Sequence, residues 1–368
     1  MESVVQASGN APVIAGLSGG VDSAVSAFLL RERGCDVRGL FMKNWEEDDT
    51  EGYCAAARDL ADAERVCERL DIPLHTVNFS TEYWDGVFQH FLAELREGHT
   101  PNPDILCNQK IKFQAFFEHA LRLGGGYIAT GHYANVVRGE TGSHLHKGAD
   151  PDKDQSYFLY ALGQAPLAKT LFPVGGLLKS QVRRIARDAR LPVHDKKDST
   201  GICFIGERPF KEFIGRYIEP CPGDMESPDG KRIGRHDGLA FYTLGQRQGL
   251  GIGGRRDAGS EPWYVVGKDT ARNVLVVAQG REHPMLYRQT LMAEQLHWIA
   301  GVSPQFPLRC HAKIRYRQQE RPCEVTAMGN GLCHVRFDEP QWAVTPGQSV
   351  VFYRNDECLG GGIIRIDP

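Results

Sequence analysis

Short apolar runs alternate with segments whose apolar residues recur at helical spacing over the first two hundred residues. The first pattern predicts buried strands and the second predicts amphipathic helices. The strands fall at 13–17, 36–42, 73–79 and 127–130, and the helices at 23–33, 53–70, 81–97, 110–123 and 178–189. Because strands that alternate with helices form parallel sheets covered on both faces, residues 1–210 are predicted to be an α/β domain with a doubly wound parallel sheet.

The pattern changes after residue 209. Residues 220–254 are rich in Gly, Pro and Arg, with a short strand predicted at 240–243, followed by a hairpin of strands at 263–266 and 274–277. We predict a small central domain over residues 211–288. Residues 289–368 carry short strands at 308–316, 323–327, 332–337, 349–353 and 361–366, separated by turn residues. Strands of this length and spacing predict a small C-terminal β-barrel.

Composition narrows the class of protein. Charged residues make up 24% of the chain and hydrophobic residues 41%, with a formal net charge of -3. A uniformly basic nucleic-acid binder is therefore excluded, but two windows, 228–256 and 308–321, each carry a local net charge of about +4, which leaves basic faces for a polyanion. Residues 1–11 lack the pattern of a secretion signal and no stretch is long and apolar enough for a membrane span, so a cytoplasmic location and no membrane partner are expected.

A glycine-rich loop follows the first predicted strand and precedes the first predicted helix. It comprises Gly16, Leu17, Ser18, Gly19, Gly20, Val21, Asp22 and Ser23. Paired glycines let backbone N–H groups approach an anion, and the N-terminus of the following helix adds about half a positive charge. The loop lacks the lysine of a Walker A motif, so it is a different type of phosphate cradle. Asp22 could cap the helix or hold a metal ion.

Two of the ten cysteines lie in stretches with chemical potential. The ten contain no C-x-x-C pair, so a zinc ribbon is unsupported and most are expected to be reduced and structural. Cys107 follows Asp104 by three residues in a proline-bounded loop at 102–108, so a nucleophile and a proton-transfer group lie close together. Cys203 lies in a stretch of small residues at 198–206, downstream of two lysines at 196 and 197 that would favour its thiolate. Each stretch taken alone is also explained by a buried structural cysteine.

Taken together, the stretches closely resemble the bacterial tRNA-specific 2-thiouridylases of the PP-loop ATP pyrophosphatase superfamily. The resemblance runs over nearly the whole chain. Its landmarks are Gly16–Ser23, Phe41-Met42-Lys43-Asn44-Trp45, Asn102–Cys107, Thr130-Gly131-His132-Tyr133, Lys153–Leu159, Gly201–Gly206, Gly245-Gln246-Arg247, Arg315-Tyr316 and Pro346-Gly347-Gln348.

The resemblance implies a role for each matching residue. ATP, with Mg²⁺, would bind at the loop Gly16–Ser23 together with Met42 and Gly131, and no resident metal is implied. Asn102, Pro103 and Asp104 would meet the target base, with Asp104 as proton shuttle, Cys107 as nucleophile and Cys203 as carrier of a persulfide. The residues implied to contact tRNA are His132, Lys153, Asp154, Gln155, Arg315, Tyr316 and Gln348. Without the resemblance, a solvated loop at 153–155 and a hydrogen-bonded strand-end histidine at 132 would be the better interpretations.

The implied activity is ATP-dependent 2-thiolation of the wobble uridine in the anticodon arm of tRNA. ATP would adenylate the uracil O2, and sulfur would come from a persulfide donor such as a cysteine desulfurase or a sulfur-relay protein. Either the persulfide attacks C2 directly or Cys107 releases sulfide from Cys203, and the sequence does not choose. Two alternatives stay open: another PP-loop adenylating ligase, which would leave both cysteines idle, and a non-catalytic tRNA-binding protein.

Overall fold

The computed structural model describes residues 11–46, 55–198, 205, 208–253 and 259–365. The strands of its N-terminal domain are β1 (Val13–Gly16), β2 (Val37–Lys43), β3 (Leu74–Asn78), β4 (Tyr127–Ala129), the hairpin β5 (Ala134–Gly139) and β6 (Gly142–Lys147), and β7 (Thr170–Leu171). Five of them form a sheet in the order β3-β2-β1-β4-β7, in which every pairing is parallel.

Helices cover both faces of this sheet. Val13 and Ala15 point into a core shared with α1 (Val21–Glu32), α2 (Ala55–Leu70) and α7 (Lys179–Asp188). Ile14 points the opposite way, because side chains alternate along a strand, into a core shared with two long helices. These are α3, residues 80–96 with a π-helical middle at Trp84–Phe88, and α4, residues 103–122 with a π-helical middle at Cys107–Ala115. The doubly wound parallel sheet is therefore confirmed.

Helix α4 begins earlier than the sequence pattern indicated. The stretch 102–108 was expected to be a rigid loop before a helix at 110, but Pro103 is already the first helical residue. The reason is local: the Asn102 side chain accepts a hydrogen bond from the Asp104 backbone N–H at 3.1 Å, and proline is favoured at the first position of a helix. Asp104 and Cys107 therefore lie one turn apart on a helix.

The central region forms a four-stranded sheet in the order β10-β11-β8-β9. Its strands are β8 (Gly223–Glu226), β9 (Arg232–His236), β10 (Trp263–Asp269) and β11 (Val274–Gln279), preceded in the chain by the short helices α5 (Ser156–Leu159), α6 (Gln164–Ala168) and α8 (Phe210–Ile214). The predicted hairpin of β10 and β11 is confirmed. The prediction of a strand at 240–243 is wrong, because Leu239–Phe241 forms a 3₁₀ turn. Glycines with positive φ at 238 and 245 turn the chain on both sides of it.

The C-terminal strands close into a barrel, as predicted. They are β12 (Tyr287–Trp298), β13 (Leu308–Lys313), β14 (Arg321–Gly329), β15 (Leu332–Trp342), β16 (Ser349–Arg354) and β17 (Glu357–Arg365), and pairing of β12 with β17 closes the ring. The hairpin β5–β6 was not predicted. It adds to the barrel through β6 and β17, so a part of the N-terminal domain extends the C-terminal sheet. Among the described residues, no helix has both the length and the apolar character needed to cross a membrane.

Candidate functional site

The glycine-rich loop is held in shape by its own serines. The Ser18 backbone N–H donates to Ser23 Oγ at 3.3 Å, and Ser23 Oγ donates to the Gly20 carbonyl at 3.0 Å. Gly19 adopts φ +68°, and a Cβ there would lie 2.4 Å from the Asp59 carbonyl oxygen. Only glycine fits that position. The loop is therefore a fixed turn at the carboxyl end of β1, of the kind that presents N–H groups to an anion.

The loop lies where the order of the sheet reverses, since β1 is flanked by β2 on one side and β4 on the other. Gly131, just beyond β4, touches the start of α1: a Cβ there would lie 2.8 Å from the Ser23 backbone nitrogen. Met42 lies half-buried near the end of β2, while Leu17 and Val21 are buried in the core and support the loop from beneath. All the predicted ATP-binding residues thus come from one end of the sheet.

Asp22 has two partners that the sequence did not reveal. The Tyr133 hydroxyl donates to Asp22 Oδ1 at 2.8 Å, and Lys179 Nζ lies 2.6 and 2.7 Å from the two carboxylate oxygens. Burial, reinforced by the negative charge of Asp22, raises the pKa of Tyr133 far above its usual range. Tyr133 therefore stays a hydrogen-bond donor to the carboxylate at any working pH.

A second carboxylate, that of Asp198, forms ion pairs with three cations beside the loop. Its oxygens lie 2.9 Å from Lys179 Nζ, 2.9 Å from Lys153 Nζ and 2.5 Å from the Arg183 guanidinium. Burial opposes ionisation, but the hydrogen bonds from Lys153 and Lys179 outweigh it and hold the pKa of Asp198 well below its usual range. Lys153, predicted as a tRNA contact, is thus connected to Asp22 through Asp198 and Lys179.

Cys203 lies outside the described residues, but the chain that leads to it is anchored at the loop. Lys196 Nζ donates to the Gly19 carbonyl at 3.0 Å, and it lies 2.8 Å from Asp59 Oδ1 and 2.5 Å from Asp62 Oδ2. Lys196 was expected to favour the thiolate of Cys203. Its ammonium is instead held by two carboxylates and a carbonyl, which leaves the exposed lysine at 197 as the nearest upstream cation for that role.

Cys107 and Asp104 share one face of helix α4. The Cys107 side chain is buried and begins the π-helical part of α4, a local departure from α-helix that is frequent at functional sites. Asp104, one turn earlier, is partly buried. Desolvation raises the pKa of its carboxyl, and the positive charge of Lys112 opposes the rise. A carboxyl with a raised pKa next to a thiol suits proton transfer.

Asp104→Asn should unfold at the same temperature as the wild type near pH 4 and at a higher temperature at pH 7. The raised pKa means that ionising Asp104 in the folded state costs stability, and this cost appears as the pH rises above the unfolded-state pKa of about 3.9. Thermal unfolding across that range measures the effect, with Glu118→Gln, an exposed acid on the same helix, as control. A variant less stable than the wild type at pH 7 would show that the carboxylate is stabilised in the fold.

Residues from distant parts of the chain hold helix α4 in place. Asn108 Nδ2 donates to the Phe158 carbonyl at 3.1 Å, and the Phe158 ring lies 4.3 Å from the ring of Tyr316, centroid to centroid. Gln348 Nε2 donates to the Thr100 carbonyl at 2.6 Å, three residues before the start of α4. Of the predicted tRNA contacts, Gln348 therefore touches the chain just before the helix that carries Asp104 and Cys107. Tyr316 packs on Phe158, whose carbonyl accepts a hydrogen bond from that helix.

Other predicted tRNA contacts lie inside the fold. The Arg315 guanidinium donates to three protein oxygens, the nearest 2.8 Å away. Asp154 is buried and lies 3.3 Å from Lys313 Nζ, and Gln155 Oε1 accepts a hydrogen bond from the Tyr133 N–H at 3.0 Å. The ring of His132 is buried, with Nδ1 2.8 Å from Thr130 Oγ1, and burial holds its pKa well below the usual range. Direct contact between these side chains and tRNA stays a prediction.

Comparisons with known proteins match nearly the whole chain. The tRNA methyl transferase HUP domain family matches residues 11–207, the tRNA methyl transferase PRC-barrel domain residues 211–279, and the aminomethyltransferase beta-barrel domain residues 288–364. The tRNA-specific 2-thiouridylase MnmA of Methylococcus capsulatus is 60% identical over 96% of this chain and 96% of its own length. The protein of the same name from Francisella tularensis subsp. novicida is 56% identical over 96% of this chain and 99% of its own.

Solved structures overlap with the chain only weakly. A 4-thiouridine synthetase in complex with RNA and bound ATP is 17% identical, with a TM-score of 0.38 over 54% of this chain and 46% of its own. An NMN synthetase from Francisella tularensis is 20% identical, with a TM-score of 0.35 over 58% of this chain and 76% of its own. Overlap of this degree says nothing about what this chain binds. High identity over nearly the full length of the relatives decides the question: the chain belongs to the family of the tRNA-specific 2-thiouridylases.

Proposed function

We propose that this chain catalyses the ATP-dependent 2-thiolation of the wobble uridine of tRNA in the cytoplasm, with sulfur carried as a persulfide on Cys203. One observation supports the proposal above the others: Asp104 and Cys107 lie one turn apart on helix α4, and this helix packs on the strand that leads into the glycine-rich loop. A Cβ at Gly16 would lie 3.4 Å from the ring of Phe116 of α4. Groups for adenylation and for sulfur transfer thus belong to adjoining elements.

Adenylation is the step for which the loop is suited. A uracil carbonyl oxygen is a poor leaving group, whereas O2 carrying AMP is a good one. The N–H groups of residues 16–23 and the N-terminus of α1 would hold the phosphates of ATP, because both favour negative charge. Mg²⁺ accompanying ATP prefers oxygen ligands, and Asp22 supplies the acidic oxygens in this loop, so the residues fit the ion.

Sulfur transfer would follow at C2 of the adenylated uracil. In one route the terminal sulfur of the Cys203 persulfide attacks C2 and AMP leaves, while the Cys107 thiolate attacks the remaining Cys203 sulfur and forms a disulfide. In the other route the Cys107 thiolate first attacks the inner sulfur of the Cys203 persulfide, which forms the Cys107–Cys203 disulfide and releases sulfide. The sulfide then attacks C2 and AMP leaves. Asp104, with its raised pKa, would exchange protons with the base or with the Cys107 thiol in either route.

Mass spectrometry of tRNA tests the proposal. The purified chain is incubated with tRNA, ATP and a persulfide donor, and nucleosides from the digested tRNA are then weighed. Exchange of oxygen for sulfur in one uridine is the expected result. An added methyl group would favour the activity named in the family descriptions, and an unchanged uridine would favour a tRNA-binding protein. ATP consumption without a change in tRNA would point to another adenylating ligase.

Binding of tRNA is expected to weaken steeply with salt, because a polyanion releases counterions when cations bind it. The exposed charge of residues 308–321 differs from what their sequence indicates: Lys313 pairs with Asp154 inside the fold, whereas Arg317 is exposed. Arg317→Ala should therefore lower the slope of log affinity against log salt by about one unit if this side chain meets a phosphate.

Filter binding over a range of salt concentrations measures that slope. Arg365→Ala is the matched control, since Arg365 is an exposed arginine of the same barrel whose guanidinium lies 2.9 Å from Glu294. An equal slope for Arg317→Ala and the wild type would show that this part of the barrel does not contact the phosphates of tRNA.

A further inference from the structure

The glycine-rich loop has no cation of its own. Its eight residues, 16–23, include one charged side chain, and Asp22 is negative. A triphosphate carries several negative charges, and the N-terminus of a helix supplies only about half a positive charge. Phosphate-binding loops of the Walker A type solve this problem with a lysine inside the loop. Here a cation from elsewhere in the fold has to supply the missing charge.

Two lysines reach the loop. Lys196 Nζ contacts the Gly19 carbonyl and is held there by Asp59 and Asp62, whereas Lys179 lies at the carboxylate of the loop itself. Lys179 Nζ lies 2.6 and 2.7 Å from the oxygens of Asp22, and its side chain is only 13% exposed. The backbone of Lys179 is fixed as well, because its N–H donates to Asp150 Oδ2 at 2.8 Å. Helix α7, which begins at this lysine, packs through Val182 into the core that α1 also shares. The ammonium is therefore held within the loop region by the architecture of the domain.

The partners of Lys179 remain satisfied when the ammonium turns away from Asp22. Asp22 keeps the hydrogen bond from the Tyr133 hydroxyl, at 2.8 Å. Asp198 keeps two other cations, Lys153 at 2.9 Å and Arg183 at 2.5 Å. Leaving a buried charge unpaired is the main cost of breaking an ion pair. Asp22 would not be buried in that state, because its side chain is 32% exposed and keeps the Tyr133 hydroxyl, and Asp198 would keep two cations. The Lys179 ammonium can therefore exchange the Asp22 carboxylate for a phosphate oxygen at a small cost in free energy.

We propose that Lys179 binds the phosphates of ATP, supplying to the glycine-rich loop the cation that the loop itself lacks. The proposal deepens the proposed function and rests on it for the identity of the nucleotide. The rival explanation is structural, namely that Lys179 serves only to tie helix α7 to the loop. The two differ in what the loss of the ammonium does, since phosphate binding predicts weaker nucleotide affinity and a purely structural ion pair predicts lower stability alone.

Calorimetric titration with a non-hydrolysable ATP analogue, containing a methylene group between the α- and β-phosphates, separates the two. Lys179→Gln should bind the analogue roughly 10- to 100-fold more weakly, as expected when one charge-assisted hydrogen bond is lost. Arg187→Gln removes an exposed cation from the same helix and should bind it as the wild type does. Unchanged affinity in Lys179→Gln, with a lower unfolding temperature, would overturn the proposal.

A second measurement uses the wild-type protein and does not depend on the variant folding. An acyl-phosphate derivative of ATP transfers its acyl group to a lysine amine next to the phosphates, and peptide mass spectrometry identifies the lysine. Acylation of Lys179 that excess ATP prevents is the expected result, whereas ATP-sensitive acylation confined to other lysines would overturn the proposal. Both readouts are independent of thiolation, so a wild type that binds ATP through Lys179 but leaves uridine unchanged would contradict only the proposed function.

Discussion

Cys203→Ser is expected to take up no labelled sulfur from a persulfide donor, whereas Cys107→Ser takes up the label and fails to deliver it to tRNA. The reason lies in the proposed reaction: one thiol must carry the sulfane sulfur, and a second thiol must break its bond to the carrier. Thiolated tRNA should be absent with either variant. Protein-bound label and thiolated tRNA, measured in the same reaction, distinguish the two roles.

The other cysteines should be dispensable for this chemistry. Burial raises the pKa of Cys67 and of Cys333 to about 11, so both stay protonated and poorly nucleophilic near pH 7. Burial likewise raises the pKa of Cys358, which packs in the core shared with the N-terminal domain. Cys107 is also buried, and what distinguishes it is the half-buried carboxyl of Asp104 one turn away.

Cys221→Ser is the matched control for both thiol variants. Cys221 is an exposed thiol in the described structure and lies in the central region, away from helix α4. This variant should load sulfur and thiolate tRNA at the rate of the wild type. A Cys203→Ser enzyme that still turns over with a persulfide donor would refute the assignment of the carrier, and a Cys107→Ser enzyme that still turns over would refute the need for a second thiol.

The sheet was predictable from the sequence because its strands are locally encoded. β1 and β2 are mostly apolar strands with a helix signal after each, and β4 is a short apolar run, a pattern that indicates burial on both faces of the sheet. The loop Gly16–Ser23 was equally predictable, since its glycines and serines are adjacent in the chain. The hairpin β5–β6 was not, because its strands contain exposed polar residues and pair with β17, more than two hundred residues away.

The residues that contact the loop could not be predicted either, because they are distant from it in the sequence. Tyr133 and Lys179 follow Asp22 by 111 and 157 residues, so no spacing rule connects them to it. Burial of Arg315 and Lys313 could not be predicted either, since a basic strand looks the same in sequence whether its cations face solvent or interior carboxylates and carbonyls. A motif of adjacent residues can therefore be inferred from a sequence more securely than whether a charged side chain is exposed or buried.

Substitution of Asp22 or Ser23 is expected to cause a large loss of thiolation activity. Replacing either residue with alanine should lower ATP-dependent thiolation by roughly 100-fold or more, the scale seen when one stabilising group of a polar site is removed. Ser23→Ala removes the hydroxyl that accepts from the Ser18 N–H and donates to the Gly20 carbonyl, so the cradle loses its shape. Asp22→Ala removes the carboxylate that holds Tyr133 and Lys179 and that would meet Mg²⁺.

Binding of tRNA by both variants should remain close to that of the wild type, because the loop is proposed to serve adenylation while the cations proposed to attract tRNA lie elsewhere. Release of pyrophosphate and affinity for tRNA are therefore measured side by side, with Ser180→Ala, an exposed serine on helix α7, as control. Asp22→Ala is the more informative variant, because Asp22 is connected to a predicted tRNA contact. Its partner Lys179 also pairs with Asp198, and Asp198 in turn pairs with Lys153, the predicted tRNA contact. If tRNA affinity falls as far as pyrophosphate release in Asp22→Ala, the nucleotide loop and the tRNA surface are one site, and the proposed division between them is wrong.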